Sequence, residues 1–180
     1  KIPDEARKKI QTLYELVADY FQEIKDFQVV GMRTDPFEYQ REGTHFLVNH
    51  AHAILADEAG LGKTYQALAA AQKLGLKRVL IVTTAGAKMT IGEEIKTHVK
   101  IEEDEYAVID PSNPIDRATQ INALTSRQRF IVINYEQLVR LKATAPELYK
   151  TLTSNLDALV VDEVQKADNP DTLRSKAVYD

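Results

Sequence analysis

The sequence predicts an α/β domain with a doubly wound, mainly parallel sheet, helices on both faces of that sheet and an amphipathic helix in front of it. Short runs rich in Val and Ile alternate with segments of helical spacing, which is the order of βα units. Several of these runs are continuously apolar, as expected for strands buried on both faces of a parallel sheet. A length of 180 residues, 44% of them hydrophobic, suits one domain with a sizeable core.

Residues 4–25 are predicted to form one amphipathic helix. Its apolar residues follow the i, i+3, i+4 spacing of a helix face: Ile10, Leu13, Tyr14, Val17, Phe21 and Ile24. Packing of this stripe against the domain is favoured over its use as a partner-binding helix. A turn over residues 31–36 then separates the helix from the α/β region.

Five strands are predicted in the α/β region, at 53–56, 79–83, 106–109, 130–133 and 158–161. The helices predicted between and after them cover 37–49, 63–74, 91–99, 115–124, 135–142, 146–154 and 171–179. In an open sheet of this kind a ligand site is expected at the carboxyl ends of the strands.

Composition excludes several classes of protein. Cys is absent, which rules out disulfides and thiolate zinc sites and suits a reducing, intracellular location, either cytoplasmic or nuclear. The net charge of −4 gives no overall attraction for nucleic acid, so such contacts require a local patch. No apolar stretch approaches the ~20 residues of a membrane helix, and no membrane partner is expected. His45, His50 and His52 lack acidic or thiol companions and are not predicted to bind a metal.

The strongest functional signal lies between the first predicted strand and the helix that follows it. It reads Asp57-Glu58-Ala59-Gly60-Leu61-Gly62-Lys63-Thr64. A loop in this position can direct its backbone N–H groups at one point, and the helix N-terminus adds positive charge, so phosphate is the expected ligand. Lys63 is expected to reach the β- and γ-phosphates, and the Thr64 hydroxyl to ligate Mg²⁺. The general phosphate-loop pattern has Gly where Asp57 stands, so the match is a variant one.

An acidic pair follows the last predicted strand and should emerge at the same sheet edge as the phosphate loop. Asp162 is expected to hold Mg²⁺ and Glu163 to polarise an attacking water as general base. Gln40, upstream of the loop, carries an amide donor and acceptor that suit the edge of adenine. The sequence therefore predicts a site for a nucleotide and its metal.

Together these blocks resemble the Swi/Snf-type DNA-dependent ATPases of the second helicase superfamily. The blocks that carry the resemblance are Glu38 to Gly43, Leu55 to Thr64, Val79 to Thr84, Ile131 to Glu136 and Asp162 to Asn169. That family has Asp at the variant position of its phosphate loop. The resemblance implies a RecA-like P-loop NTPase fold, with residues 36–180 as a truncated first ATP-binding lobe and residues 1–35 as a helix and connector.

The resemblance also implies cofactors, partners and further site residues. ATP and Mg²⁺ would bind Gln40, Asp57, Glu58, Gly60, Leu61, Gly62, Lys63 and Thr64 together with Asp162 and Glu163. A second RecA-like lobe outside this chain would supply arginine fingers, so the isolated lobe is expected to be nearly inactive. Duplex DNA, bound through its backbone phosphates, would meet the loops after the strands at Thr84, Ala85, Lys88, Asn134 and Tyr135.

Departures from the family pattern keep alternatives open. Gln165 replaces the His that links hydrolysis to the rest of the motor, Glu38 and Thr84 stand where Pro is common, and Ala167-Asp168 replaces an Ile-Lys pair. Another phosphate-loop class, such as a nucleotide kinase or an AAA-type ATPase, explains Lys63 and Asp162 but leaves Gln40 unexplained. A non-catalytic, nucleotide-gated interaction module is the third interpretation, and the presence of Glu163 speaks against it.

Overall fold

A computed structural model of the chain describes residues 3–109 and 128–179. In chain order the elements are α1 (Asp4–Asp26), α2 (Glu38–Asn49), α3 (Lys63–Lys73), β1 (Val79–Thr83), α4 (Lys88–His98), β2 (Tyr106–Val108), β3 (Phe130–Asn134), α5 (Tyr135–Thr144), α6 (Pro146–Thr153), β4 (Ala158–Val161) and α7 (Leu173–Tyr179). Short 3-10 turns cover Glu103–Glu105 and Val164–Ala167. The helix predicted at 115–124 lies outside the described residues.

The four strands form one parallel sheet in the order β2-β3-β1-β4. Val79 of β1 lies opposite Phe130 of β3 on one side and Ala158 of β4 on the other. Every residue of β1 and β3 is buried, as their continuous apolar runs predict. The carboxyl ends of β1, β3 and β4 therefore meet at one edge of the sheet.

Side chains of the two central strands alternate between two apolar cores. On one face Val79, Ile81, Phe130 and Val132 pack with α3 and α4. On the other face Leu80, Val82, Ile131 and Ile133 pack with α5, α6 and α7. The prediction of a doubly wound sheet with helices on both faces is confirmed.

The strand predicted at 53–56 is wrong. This segment runs to the phosphate loop without joining the sheet, and Ile54 is 75% exposed. Both edges of β1 are already paired, with β3 and β4, so the segment could pair only at an outer edge of the sheet. An apolar run becomes a strand only where a neighbour accepts its backbone hydrogen bonds. β4 is such an outer strand, and Leu159 on it is partly exposed.

The N-terminal helix forms as predicted, but its packing differs from the prediction. Of the apolar stripe only Ile24 is buried, against α2, whereas the stripe from Ile10 to Phe21 stays exposed. The last two turns of α1 attach to α2 through His45, whose Nε2 lies 3.0 Å from Glu23 Oε1. Arg41 also donates to the carbonyl of Lys25 at 3.0 Å. None of the helices among the described residues is long and apolar enough to span a membrane.

Candidate nucleotide site

The phosphate loop turns into α3 through two glycines with positive φ. Gly60 has φ of 84° and Gly62, the residue that precedes α3, has φ of 72°, a region that side chains with a Cβ rarely adopt. Lys63 is the first residue of α3, and its Nζ donates to the carbonyls of Asp57 at 2.9 Å and Glu58 at 3.0 Å. The ammonium group therefore lies within its own loop, where the sequence places the phosphate charge.

Gln66, which sequence reasoning missed, holds the variant residue of the loop in place. Its side chain is fully buried in the first turn of α3, and its Nε2 donates to Asp57 Oδ2 at 2.8 Å. Asp57 thus replaces Gly in the general pattern because its carboxylate has a fixed amide partner. The sequence feature that could have indicated Gln66 is a Gln on an otherwise apolar helix face, next to Tyr65 and Leu68.

Gly43 of α2 makes room for the Gln66 amide. A Cβ on Gly43 would lie 1.7 Å from Gln66 Oε1 and 2.8 Å from its Cδ, so a side chain at position 43 and the Gln66 amide exclude each other. Gln66 Oε1 is buried and accepts no hydrogen bond from the described residues. The glycine of the upstream block and the helix after the phosphate loop are therefore packed as one unit.

Gln40 joins the same cluster from α2. It is buried, its Oε1 accepts from the backbone N–H of Phe37 at 3.1 Å, and its Nε2 donates to the carbonyl of Leu61 at 3.2 Å. A Cβ on Gly62 would collide with this amide. Gln40 therefore lies against the phosphate loop, and backbone groups of Phe37 and Leu61 hold its amide there. The sequence predicts that this amide contacts adenine.

The acidic pair lies at the carboxyl end of β4. The backbone N–H of Asp162 donates to the carbonyl of Val82 at 2.9 Å, and its Oδ2 accepts from the buried Thr83 hydroxyl at 2.7 Å. The Tyr135 hydroxyl donates to the Asp162 carbonyl at 2.6 Å. Three elements, β1, β4 and α5, thus fix the position of one carboxylate.

Glu163 follows in a left-handed backbone conformation, with φ of 53°, which is uncommon for a residue with a side chain. Its Oε2 accepts a short hydrogen bond from Gln165 Nε2. The residue that departs from the family pattern therefore contacts the carboxylate predicted to act as base. No hydrogen bond or ion pair among the described residues joins this acidic cluster to the cluster around Lys63.

Burial of Tyr135, together with the smaller effect of the neighbouring Asp162 carboxylate, raises the pKa of its phenol to about 12. The side chain is 1% exposed, so an anion there would lose its hydration. At neutral pH Tyr135 is therefore a fixed hydrogen-bond donor beneath the acidic pair.

Three of the five residues predicted to contact DNA have buried side chains. Lys88 is buried and its Nζ donates to the carbonyl of Ile109 at 2.6 Å. Asn134 caps α5, accepting from the N–H of Gln137 at 2.8 Å, and Tyr135 supports Asp162. Residues after a parallel strand open the next helix, and that role buries their side chains here. Thr84, which is half-buried, and the exposed Ala85 keep access to solvent.

Comparison with solved structures defines the class of this fold. The structure aligns with the Sulfolobus solfataricus SWI2/SNF2 ATPase core, solved in complex with dsDNA, with a TM-score of 0.66 and 25% identity, over 84% of this chain and 31% of that chain. The UvsW helicase from Bacteriophage T4 aligns with a TM-score of 0.51 and 13% identity, over 87% of this chain and 63% of that chain. At that identity the second likeness concerns the fold alone.

The chain has the fold of a RecA-like lobe of the second helicase superfamily. Its resemblance to Swi/Snf-type ATPases, first seen in the sequence, is confirmed by the structural match to a SWI2/SNF2 ATPase core. The chain spans less than a third of that ATPase core and less than two thirds of the UvsW helicase. No family model and no curated protein sequence matches it.

Replacing Gly43 by Ala should change stability in opposite directions with and without the Gln66 amide. In the wild type the new Cβ displaces that amide, and overpacking costs about 1–3 kcal/mol. In a Gln66→Ala background the collision is gone, and Ala gains about 1 kcal/mol over Gly inside a helix. Urea denaturation of the four proteins measures the coupling. Additive effects would contradict the packing described. Gly86→Ala, where a Cβ meets nothing within 4 Å, is the control.

The wild type should lose stability relative to Tyr135→Phe as the pH rises from about 10 to about 12. A tyrosine in the unfolded chain ionises near its ordinary pKa of 10.0, whereas the folded pKa is about 12. The stabilisation is therefore present below pH 10 and is lost as the pH passes the folded value. Unfolding free energies of both proteins along this range measure the difference. The exposed Tyr14→Phe serves as control, and a pH-independent difference for Tyr135→Phe would refute the assignment.

Proposed function

We propose that this chain is the ATP-binding and ATP-hydrolysing first lobe of a Swi/Snf-like, helicase-related DNA translocase. The observation that carries the proposal is the phosphate loop at the start of α3, with Lys63 Nζ held inside it by two backbone carbonyls. The similarity of the fold to a SWI2/SNF2 ATPase core supports the choice among phosphate-loop proteins.

Residues of the loop and of α2 would bind the nucleotide. Lys63 is positioned to pair with the β- and γ-phosphates, and the backbone from Gly60 to Gly62 to surround them. Gln40 lies against this loop with its amide oriented by Phe37 and Leu61, and each end of that amide keeps one unused hydrogen-bonding capacity for adenine.

The oxygen atoms present fit a magnesium ion. Asp162 uses one carboxylate oxygen to accept from Thr83, and its other oxygen accepts no hydrogen bond from the described residues. The Thr64 hydroxyl makes no side-chain hydrogen bond to them either, and hard oxygen donors are what Mg²⁺ prefers. When bound, the ion would neutralise charge that develops on the phosphates. Thr83 and Tyr135 would keep Asp162 in place.

Glu163 would polarise the attacking water as general base, with Gln165 orienting its carboxylate by the short hydrogen bond between them. This contact is also where Gln165 would couple hydrolysis to movement. A second RecA-like lobe would complete the site by supplying arginine fingers. Duplex DNA, the ligand in the similar SWI2/SNF2 structure, is the proposed track, with Thr84 and Ala85 as the contacts that solvent reaches.

Lys63→Ala should abolish binding of Mg-ATP, because no other cation in the described part of the chain is bonded within the loop. Isothermal titration calorimetry with Mg-ATP measures the affinity. Lys96→Ala, which removes an equal charge from the exposed face of α4, should leave it unchanged. Equal affinities of the Lys63→Ala protein and the wild type would count decisively against the proposed site.

Glu163→Gln should preserve Mg-ATP binding and lower the hydrolysis rate by about 10²–10⁴-fold, as expected for loss of a general base. The rate is measured in the intact protein together with the second lobe, since an arginine finger contributes about 10³–10⁵-fold. The lobe alone should turn over slowly and respond little to DNA. Glu147→Gln on the exposed surface of α6 is the control. Undiminished ATPase in Glu163→Gln would favour a non-catalytic, nucleotide-gated module instead.

A further inference from the structure

The outer part of α1 presents an apolar stripe that nothing among the described residues covers. Seven large apolar side chains on it are 44–70% exposed: Ile10, Leu13, Tyr14, Leu16, Val17, Tyr20 and Phe21. Helices gain most of their stability by packing such a face, and a contiguous exposed apolar patch marks an interaction site. The stripe therefore belongs to an interface.

The spacing of the stripe indicates that its partner is another helix. Ile10, Val17 and Ile24 recur every seven residues, and Leu13 and Tyr20 fall three residues after the first two of them. These are the a and d positions of a heptad, the pattern of helices that pack side by side. Two complete heptads, with Ile24 opening a third, suit a partner helix of about the same length as α1.

The charges of α1 are divided between its two halves. Arg7, Lys8 and Lys9 outnumber Asp4 and Glu5 in its N-terminal part, whereas Glu15, Asp19, Glu23 and Asp26 outnumber Lys25 towards its C-terminus. A second copy laid antiparallel brings each basic half beside an acidic half. A parallel copy would place Lys9 beside the uncharged Tyr14 of the second copy rather than beside an acidic residue. The helix is thus complementary to itself in one orientation.

We propose that α1 is a self-association surface, on which α1 of a second copy of this chain packs antiparallel about a two-fold axis beside Leu16. In this register Ile10 faces Tyr20 of the second copy and Leu13 faces Val17. The same register pairs Lys9 with Glu23 of the second copy, since both occupy g positions, and the symmetry forms each contact twice.

The register also agrees with the part of α1 that is already buried. Ile24 is occupied by α2, and the residue that would face it from the second copy is Ala6, whose small side chain needs little space. Glu23 keeps 65% of its side chain exposed despite its contact with His45, so its carboxylate remains accessible to Lys9. Lys9 itself has only an exposed pair with Glu5, which contributes little.

Sedimentation velocity of the full chain over a range of micromolar concentrations tests the proposal. The wild type is expected to shift from monomer to dimer as concentration rises, and Val17→Asp, at a half-exposed position, to remain monomeric with unchanged circular dichroism. A wild type that is monomeric throughout, or a dimer that survives Val17→Asp, would overturn the proposal. Nucleotide binding by Val17→Asp should be unaltered, which separates this result from the proposed function.

Charge reversal tests the orientation. Lys9→Glu is expected to weaken the dimer about tenfold, because two favourable pairs become repulsive. Lys8→Glu carries the same change in charge at the neighbouring, outward-facing position and should have little effect. The double variant Lys9→Glu, Glu23→Lys should recover the affinity. Equal effects of the Lys8 and Lys9 variants, or no recovery, would overturn the antiparallel register.

Discussion

Burial of β1 and β3 on both of their faces is the constraint on which the rest of this lobe depends. Each strand needs an apolar layer on either side, so α3 and α4 must cover one face and α5, α6 and α7 the other. The connections between these parallel strands then bring their carboxyl ends to one edge of the sheet. There the Thr83 hydroxyl of β1 and the Tyr135 hydroxyl of α5 both bond to Asp162. The geometry of the acidic cluster is thus a consequence of how the core is layered.

Three blocks that are separate in the sequence form one packed unit around the phosphate loop. Gln40 reaches Leu61, Gln66 reaches Asp57, and Gly43 leaves the space that the Gln66 amide fills. An Asp at the loop's variant position is stable only with its amide partner, and that partner fits only beside a glycine. The amino-acid residues of the upstream block and those of the loop therefore depend on one another for packing.

Periodicity and residue type were sufficient to predict the layered fold. The predicted bounds of β1 and β4 agree with the observed ones, because a short run rich in Val, Leu and Ile between polar residues usually forms a buried strand. The segment at 53–56 is also apolar but pairs with no strand of the sheet, and pairing is not encoded locally. Loops that follow strands can contact DNA, and the sequence predicts such contacts. Packing in the folded lobe, however, buries the side chains of Lys88, Asn134 and Tyr135. Gln66 was missed because its partner becomes visible only when α3 and the loop are seen together.

Under the proposed function, the two bonds of Lys63 to its own loop would make nucleotide binding an exchange of hydrogen-bond partners. The ammonium donates to two carbonyls of the loop, so its hydrogen-bonding capacity is partly satisfied by the protein itself. A triphosphate would bond to the lysine only by displacing those carbonyls, which would then need other hydrogen-bond donors. The affinity that Lys63 contributes would then be the difference between its ion pair with the phosphates and the two hydrogen bonds that it gives up.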